Sequence, residues 1–407
     1  IMRLCCASLT QDVEERDKWH EDRAIEDGIF LIKSVPPVKP YFPDEDIQQL
    51  KNCLEEILRS GMLTLHTYTK QFEKMFAEFS GTKFAIATNS GTAALEIALR
   101  CTKVREGDEI LVPTNTFSAT AASVFMAGGR PKLVDIDSKT LCVDVENIQR
   151  NITAKTRGII AVHIGGLICP EIMAIKEICD DLDLFLIEDA AHAQGSRIND
   201  KYAGSLGDAG CFSFYPTKVM TTGEGGMITT DNEEWAKKAA ILRDQGKESS
   251  SSELIVELGH NWRMQELSAA MGLAQLKRLP EILEKRNSIA HFYDNAFSRM
   301  SGVRPLITPA GLTNNYYKYV LILENDIDRQ KLKQGLRDKG VRCGGEVYWP
   351  PLHLQPVYQR LLGTDKRDFP NAEDVCKRMI CPPIYAQMLR ADAEYVVEKL
   401  EETLGNI

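Results

Sequence analysis

Apolar positions at helical spacing give way, a little after residue 80, to short apolar runs that alternate with helical stretches. Before this change, the apolar residues between 44 and 59 recur every three or four positions, and Pro43 followed by Asp44 suits a helix start. This pattern predicts a helix over 44–59 and a second one over 70–79. Further along, the pattern predicts strands at 84–88, 109–112, 132–135, 158–162 and 184–188, with helices at 93–100, 118–127 and 171–180.

An alternation of short strands and helices is typical of crossover units, in which each helix returns the chain to the start of the next parallel strand. Strands of this kind are buried on both faces, which explains why their residues are nearly all apolar. The sequence therefore predicts an α/β fold with a mostly parallel central sheet and helices on both of its faces. Ligands of such sheets bind at the carboxyl ends of the strands.

The pattern changes again after Pro280. A long charged helical stretch over 281–300 leads to an aromatic and apolar run at 316–323 that predicts a strand, and a helix, a turn and a strand follow. We predict three parts: an N-terminal arm of residues 1–40, a large domain of residues 41–279 and a smaller C-terminal α+β domain of residues 280–407.

Composition and charge exclude several classes of protein. The 407 residues are 43% hydrophobic and 26% charged, as in a globular protein, and the net charge of −9 comes without any basic block that could follow a phosphate backbone. The eleven cysteines show no CxxC spacing, so neither a metal site nor a disulfide framework is predicted, and a reducing cytoplasm is expected. No apolar stretch approaches the ~20 residues that cross a membrane.

Lys218 is the strongest candidate for chemistry. It follows the run FSFYPT and precedes the glycine-rich TTGEGG, so it lies in a turn after an apolar strand. Most lysines are solvated surface charges, but Phe212, Phe214 and Tyr215 provide an apolar wall here and Ser213 adds a hydroxyl. Desolvation favours the neutral amine, which attacks carbonyl groups. The sequence therefore predicts a lysine that forms a Schiff base.

Two polar segments are candidates for binding phosphate. The segment NSGT at 89–92 precedes a predicted helix, where free backbone N–H groups, a hydroxyl and the helix dipole favour an anion. A plain N-cap explains the same residues. The segment GHNWRM at 259–264 is either an ordinary loop or a second source of phosphate ligands. In the second case its Asn and Arg would reach the phosphate across a subunit boundary.

Asp189 follows directly after the apolar strand predicted at 184–188. A carboxylate at this place is a candidate metal ligand, ion-pair partner or counter-ion of a pyridinium nitrogen, and an ordinary loop residue is the simpler alternative. The third function suits it because a protonated pyridine ring withdraws electrons. His192, three residues further on, either orients a ring or is a structural histidine.

A phosphate site, an aspartate at a strand end and a lysine about thirty residues later form the arrangement of fold-type I pyridoxal phosphate (PLP) enzymes. From about Pro40 onward the sequence resembles the DegT/DnrJ/EryC1/StrS aminotransferases. The segments that carry this resemblance are NSGTAAL at 89–95, PTNTF at 113–117, EDAAH at 188–192, GD at 207–208, FSF at 212–214, GEGG at 223–226 and NWRM at 261–264.

The resemblance implies PLP as cofactor and a catalytic set of Lys218, Asp189 and His192. Lys218 would bond covalently to the cofactor and move the proton, Asp189 would pair with the pyridine nitrogen, and His192 would lie beside the ring. Phe117 would stack on the ring face. The phosphate would be held by Gly91, Thr92 and Ser213, together with Asn261 of the partner subunit. A homodimer with shared active sites is therefore implied, with no nucleic acid or membrane partner.

The family acts mostly on keto sugars carried on nucleotides, with L-glutamate as the usual amino donor. The TTGEGG segment resembles members that aminate C4, which implies a nucleotide-linked 4-keto-6-deoxy sugar as substrate. A 3-keto sugar, a keto cyclitol and a non-catalytic PLP-fold regulatory protein stay open as alternatives. A dehydratase is disfavoured because Lys218 is retained, and a nicotinamide enzyme because no strand precedes GxGxxG. His66 and the segment 163–170 depart from the family pattern where relatives face substrate, and His353 resembles a residue near the substrate mouth.

Overall fold

The computed structural model describes residues 33–249, 251–365 and 367–407, and a seven-stranded sheet lies at its centre. In chain order the strands are β1 (Phe84–Thr88), β2 (Glu109–Pro113), β3 (Arg130–Val134), β4 (Thr156–Val162), β5 (Phe185–Asp189), β6 (Arg197–Ile198), β7 (Lys201–Tyr202), β8 (Ala209–Ser213), β9 (Gly226–Thr230), β10 (Val303–Pro305), β11 (Leu312–Thr313), β12 (Leu321–Leu323) and β13 (Met379–Ile380).

The central sheet has the strand order β1-β9-β8-β5-β4-β2-β3. Strand β9 is antiparallel to both of its neighbours, and the other six strands share one direction. The predicted α/β fold with a mostly parallel sheet is confirmed, and the five predicted strands agree with the observed ones to within two residues. The described residues also form two three-stranded sheets, with the strand orders β10-β12-β13 and β11-β6-β7.

Twelve α-helices occur in the described part of the chain. They are α1 (Asp44–Ser60), α2 (Thr67–Ser80), α3 (Gly91–Cys101), α4 (Ser118–Met126), α5 (Val145–Asn151), α6 (Ile172–Asp181), α7 (Glu233–Arg243), α8 (Glu266–Phe297), α9 (Arg329–Asp338), α10 (Pro356–Leu362), α11 (Pro370–Cys376) and α12 (Arg390–Leu404). The five helices predicted before residue 181 are present, with ends that differ by at most three residues. Among the described residues, no helix is long and apolar enough to cross a membrane.

One predicted strand is largely a loop. Of the run 316–323, only the last three residues form β12. Before β12, the side-chain carbonyls of Asn314 and Asn315 each accept the backbone N–H two residues further on. The buried guanidinium of Arg286 donates to backbone carbonyls of three consecutive residues of the same loop. These side chains take up backbone groups that a strand ladder would use, and they hold Tyr317 in place.

Helix α8 runs through the position at which the sequence pattern predicts a domain boundary. Pro280 lies inside this 32-residue helix and removes one backbone hydrogen bond, yet the helix continues to Phe297. Apolar residues on both sides of the proline, including Leu279 and Ile282, are buried. Residues Val35–Ile407 form one compact unit. The division into 41–279 and 280–407 stays a prediction, and residues 1–32 of the predicted arm lie outside the described residues.

Aromatic rings pack behind the turn that carries Lys218. The ring centroids of Phe76 and Phe212 are 4.9 Å apart, and those of Phe72 and Phe214 are 5.4 Å apart. All four side chains are buried between α2 and the end of β8. Because such rings are large and rigid, they fix the carboxyl end of β8. The apolar wall predicted from the sequence is therefore largely an interior cluster.

A buried carboxylate anchors the start of α2. Glu266, in the first turn of α8, accepts backbone hydrogen bonds from His66 at 2.8 Å, Tyr68 at 2.7 Å and Thr69 at 3.0 Å. The Thr69 hydroxyl donates to the same carboxylate. These are the N–H groups that a helix leaves without partners in its first turn. Glu266 thus connects α8 to the loop before α2.

We expect Glu266→Gln to lower the free energy of unfolding by about 2 kcal/mol, because the amide replaces a charged acceptor oxygen by an NH2 group that faces other donors. Urea unfolding at 25 °C measures the loss. Glu284→Gln on the exposed side of the same helix is the control and should stay within about 0.5 kcal/mol of wild type. Equal unfolding midpoints for the two variants would contradict the anchoring role.

Candidate active site

The carboxyl ends of β5 and β8 bring predicted site residues to one edge of the sheet. Asp189 is the last residue of β5 and Ser213 is the last residue of β8. The two strands are parallel neighbours, with Asp189 opposite Cys211. Lys218 follows five residues after Ser213, in the turn before β9. The sheet topology thus joins residues that are about thirty positions apart in sequence.

Lys218 lies against an aromatic ring that comes from the C-terminal part of the chain. Its Nζ is 4.6 Å from the centroid of the Tyr317 ring, whose hydroxyl is 3.0 Å from the hydroxyl of Thr217. Burial lowers the pKa of the Lys218 ammonium to about 8, while Asp189 opposes this change and Lys318 adds to it. Lys218 therefore has a sizeable neutral fraction near physiological pH, and the neutral amine is the form that attacks a carbonyl.

Asp189 is a buried carboxylate whose hydrogen bonds come from neutral donors. Its Oδ2 accepts from the Thr120 hydroxyl at 2.7 Å, and its Oδ1 accepts from the Ala191 backbone at 3.2 Å. Burial raises the pKa of the Asp189 carboxyl, and these two hydrogen bonds oppose that change. A buried carboxylate held in this way favours a cationic ligand, since a positive charge beside it would offset the cost of desolvation.

His192 is held in one tautomer. Its Nδ1 accepts the backbone N–H of Gly165 at 3.2 Å, and burial is the main cause that lowers the pKa of its imidazole well below the usual value. A neutral ring whose Nδ1 is an acceptor carries its proton on Nε2, and this N–H therefore donates to the Tyr348 hydroxyl 2.9 Å away. The ring also packs against Tyr317, with centroids 4.4 Å apart. His192 thus presents a fixed aromatic face beside Lys218.

The segment before α3 is an N-cap, as the simpler alternative predicted. The Ser90 side chain accepts the backbone N–H of Ala93 at 3.1 Å. Gly91 and Thr92 begin the helix, and Thr92 is exposed. Capping by Ser90 uses one of the N–H groups of the first turn, so the remaining groups stay suited to an anion.

Gly91 provides the closest approach between α3 and β8. A Cβ atom at Gly91 would lie 2.8 Å from the Ser213 Cβ and 3.2 Å from the Phe212 carbonyl oxygen. A side chain at this position would therefore push the helix start away from the strand end. The contact brings two of the predicted phosphate ligands, Gly91 and Ser213, next to each other.

We expect Gly91→Ala to weaken PLP binding about tenfold or more, because the overpacked contact separates the helix start from Ser213. Equilibrium dialysis with PLP measures the affinity. Gly405→Ala is the matched control, since a Cβ there would have no neighbour closer than 3.7 Å and the backbone has an ordinary φ of −68°. An unchanged affinity in Gly91→Ala would show that the close contact does not shape the phosphate site.

Phe117 and Asn261, the other two predicted cofactor ligands, are both exposed on the described chain. Phe117 occupies the N-cap position of α4 and is 59% exposed. Its ring centroid is 5.9 Å from that of Tyr348. Asn261 lies beside the segment before α3, where its backbone carbonyl accepts the Asn89 side chain at 3.4 Å. The geometry thus joins Phe117 to the His192 side of the site, while the Asn261 side chain stays open to the surface.

A second buried carboxylate stands next to Asp189 but has structural partners. Glu188 accepts the His163 Nε2–H at 2.8 Å. It also accepts the backbone N–H groups of Gly204, Leu206 and Gly207. With four donors satisfied, Glu188 fixes the loop between β7 and β8 and has little capacity left for a ligand.

His353 is buried rather than placed at an open mouth. Its Nδ1 lies 2.7 Å from the Thr114 hydroxyl, and its ring packs on Phe369 with centroids 4.4 Å apart. The side chain is fully buried. The resemblance of His353 to a residue near the substrate mouth therefore does not extend to its exposure in this chain.

Four residues of the site were not among those predicted from the sequence: Thr120, Tyr317, Lys318 and Tyr348. Thr120 lies in the first turn of α4, where its hydroxyl reaches Asp189 across the sheet edge. Tyr317 and Lys318 belong to the run that was predicted as a strand. The triplet of aromatic residues around Lys318 was the available signal, since a lysine among buried tyrosines is as unusual as Lys218.

These residues fit pyridoxal phosphate. The Gly91 contact brings a helix start next to Ser213, as a phosphate site requires. Asp189 offers a buried carboxylate for a pyridinium, and Lys218 offers an amine for an aldehyde. His192 supplies a flat neutral face between them. The fold and the site together are those of an α/β enzyme with a desolvated lysine and a buried aspartate at one edge of the sheet.

Comparison with known proteins agrees with this class. The model of the DegT/DnrJ/EryC1/StrS aminotransferase family matches residues 44–401. The chain is 36% identical to the spore coat polysaccharide biosynthesis protein SpsC of Bacillus subtilis, over 90% of this chain and 96% of that protein. It is 33% identical to a GDP-perosamine synthase of Caulobacter vibrioides, over 92% of this chain and the whole of that protein.

Solved structures are equally similar in fold. The PMP form of the sugar aminotransferase Spr1654 from Streptococcus pneumoniae, described as putative, superimposes with a TM-score of 0.86 at 28% identity, over 92% of this chain and 98% of that one. PseC of Helicobacter pylori gives a TM-score of 0.85 at 26% identity, over 92% of this chain and the whole of that one. The chain belongs to the DegT/DnrJ/EryC1/StrS aminotransferase family, and it is a PLP-dependent transaminase.

Proposed function

We propose that this transaminase moves an amino group from L-glutamate to a nucleotide-linked 4-keto-6-deoxy sugar. The observation that carries the transaminase chemistry is the pair formed by a desolvated Lys218 amine and the buried Asp189 carboxylate at adjoining strand ends. The sugar is supported by relatives, since GDP-perosamine synthases from three organisms are 30–33% identical to the chain.

Each site residue has a defined task in this proposal. PLP, when bound, takes the amino group from one substrate and gives it to the carbonyl carbon of the next. Lys218 moves a proton at the reacting carbon, because its lowered pKa of about 8 lets it gain and lose a proton near physiological pH. Asp189 keeps the ring nitrogen protonated by its charge. His192 and Phe117 contact the faces of the cofactor ring and keep it in place. The phosphate of the cofactor is bound by Gly91, Thr92 and Ser213.

The acceptor sugar is tested with isotope transfer. Purified enzyme with PLP and 15N-labelled L-glutamate is offered nucleotide-linked 4-keto-6-deoxy sugars, 3-keto sugars and keto cyclitols, and mass spectrometry detects the labelled product. We expect label in the 4-keto-6-deoxy product. Label only in a 3-keto sugar or cyclitol product would move the proposal to that acceptor. Absence of label in every product, together with tight PLP binding, would favour a non-catalytic regulatory protein.

The proposed active unit is a homodimer in which Asn261 of one subunit reaches the phosphate site of the other. Two observations support an interface here: the Asn261 side chain is exposed, and so are the aliphatic residues of the segment just before it. Those residues are Leu254, Ile255, Val256 and Leu258. A reducing cytoplasm stays the expected compartment.

Subunit mixing tests the shared site. Lys218→Ala and Asn261→Ala homodimers are each expected to be nearly inactive, whereas dissociation and reassociation of the two together should restore activity. A mixed dimer has one intact site only if Asn261 acts across the interface, since both substitutions then fall in the other site. No restoration, with mixed dimers confirmed by native mass spectrometry, would place Asn261 in the site of its own chain.

A further inference from the structure

A second ammonium group lies beside the one that performs the chemistry. The Nζ of Lys318 is 5.1 Å from the centroid of the Tyr317 ring, and the Nζ of Lys218 is 4.6 Å from the same centroid. The backbone of Lys318 is fixed to the site because its N–H donates to the Gly165 carbonyl at 3.0 Å. Two lysines therefore share one phenol ring at the carboxyl edge of the sheet.

Within the described residues, the Lys318 ammonium has no hydrogen-bonding or ion-pair partner. The acid that acts on it electrostatically, Glu346, is bonded to Lys333 instead. The guanidinium of the neighbouring Arg286 donates its hydrogen bonds to backbone carbonyls and not to a carboxylate. Contact with the Tyr317 ring compensates only part of the cost of removing an ammonium from water. Burial accordingly lowers the pKa of Lys318.

The backbone at Gly344 approaches this ammonium closely. A Cβ atom at Gly344 would lie 2.8 Å from the Lys318 Nζ. The φ of Gly344 lies outside the left-handed region, so an L-residue could adopt this backbone conformation. A side chain at position 344 would therefore displace the Lys318 ammonium.

An ammonium without a counter-ion, beside the reacting amine, is suited to a ligand with a negative charge. We propose that Lys318 binds an oxyanion of a substrate, either a carboxylate of the amino donor or a phosphate of the nucleotide carried by the sugar. This assignment rests on the proposed function and extends it, because it names the group that recognises the charged part of the substrate. Both sources present charged oxygens, which an ammonium binds more strongly than neutral hydroxyls.

Direct binding tests the assignment in the holoenzyme, where PLP already fills the cofactor phosphate site. Isothermal titration with glutarate and with inorganic diphosphate is compared for wild type and Lys318→Met, a substitution that keeps most of the length of the side chain and removes its charge. We expect the Kd of one of the two probes to rise about 10- to 100-fold. A loss for glutarate assigns the donor carboxylate, and a loss for diphosphate assigns the nucleotide.

Two further variants separate charge from folding. Gly344→Ala should weaken the same probe as Lys318→Met, because it displaces the ammonium while keeping the lysine. Lys201→Met removes an exposed lysine of β7 and should leave both affinities unchanged. Equal binding of both probes by wild type and Lys318→Met, or no binding of either by wild type, would overturn the assignment. If the probe depends on Lys318 but no sugar in the panel is aminated, the proposed function fails while the oxyanion site stands.

Discussion

Lys218→Ala is expected to abolish transamination, with a loss of about 10³-fold or more, because it removes both the covalent attachment and the group that moves the proton. Reduction with borohydride should leave PLP attached to wild type and not to the variant, as peptide mass mapping would show. Proton exchange at the α-carbon of L-glutamate, followed by NMR, reports the proton transfer itself and should stop in the variant.

The fold is expected to survive this substitution, since Lys218 contributes one contact with the Tyr317 ring and a desolvation cost. Lys201→Ala, an exposed lysine of β7, is the control and should keep full activity. Normal turnover by Lys218→Ala would refute the assignment of the catalytic lysine. Loss of secondary structure in circular dichroism would mean that its effect on activity cannot be ascribed to chemistry.

The same lysine predicts a pH dependence of stability in the cofactor-free protein. Its pKa falls from the ordinary 10.5 to about 8 on folding, so the unfolded chain binds more protons between these two values. The Lys218 contribution to the free energy of unfolding therefore rises with pH from about 8 to about 10.5. Wild type should be less stable than Lys218→Ala at pH 7 and should approach it at pH 10. Parallel urea-unfolding profiles of the two proteins across this range would contradict the lowered pKa.

The central sheet and the place of Asp189 and Ser213 at its edge were predictable because local patterns encode them. Strands that are buried on both faces are apolar throughout, and the residue that ends such a strand lies at the carboxyl edge wherever the neighbouring strands fall. For this reason Asp189 and Ser213 could be assigned before their distance in space was known. Their positions follow from strand ends alone.

The residues missed by the sequence reading come from segments whose structure depends on distant partners. Tyr317 and Lys318 follow Asn314 and Asn315, whose side chains bind the loop backbone in place of a strand ladder. Arg286 of α8 binds the same stretch of backbone. An apolar and aromatic run carries no sign of such a partner. Tertiary contacts therefore decided the conformation against local propensity.

The charge of Asp189 is the second feature on which turnover should depend, and Asp189→Asn isolates it. The asparagine has nearly the same shape, and its carbonyl can still accept the Ala191 N–H while its NH2 donates to Thr120. Thr120 can then turn its hydroxyl toward Thr116, 2.7 Å away. Because both hydrogen-bond contacts of Asp189 can be kept, we expect a folded variant that differs from wild type mainly by one buried charge.

Transamination by Asp189→Asn should fall about 100-fold or more, since a neutral amide cannot hold a proton on the pyridine nitrogen and this electrostatic support is lost at the reacting centre. PLP should still bind through its phosphate, which equilibrium dialysis measures. Burial raises the pKa of the Asp189 carboxyl, so removal of this charge should leave the cofactor-free protein at least as stable as wild type in urea. Asp200→Asn, on the exposed turn between β6 and β7, should match wild type in rate and stability. Wild-type turnover by Asp189→Asn would show that the ring nitrogen does not need this carboxylate.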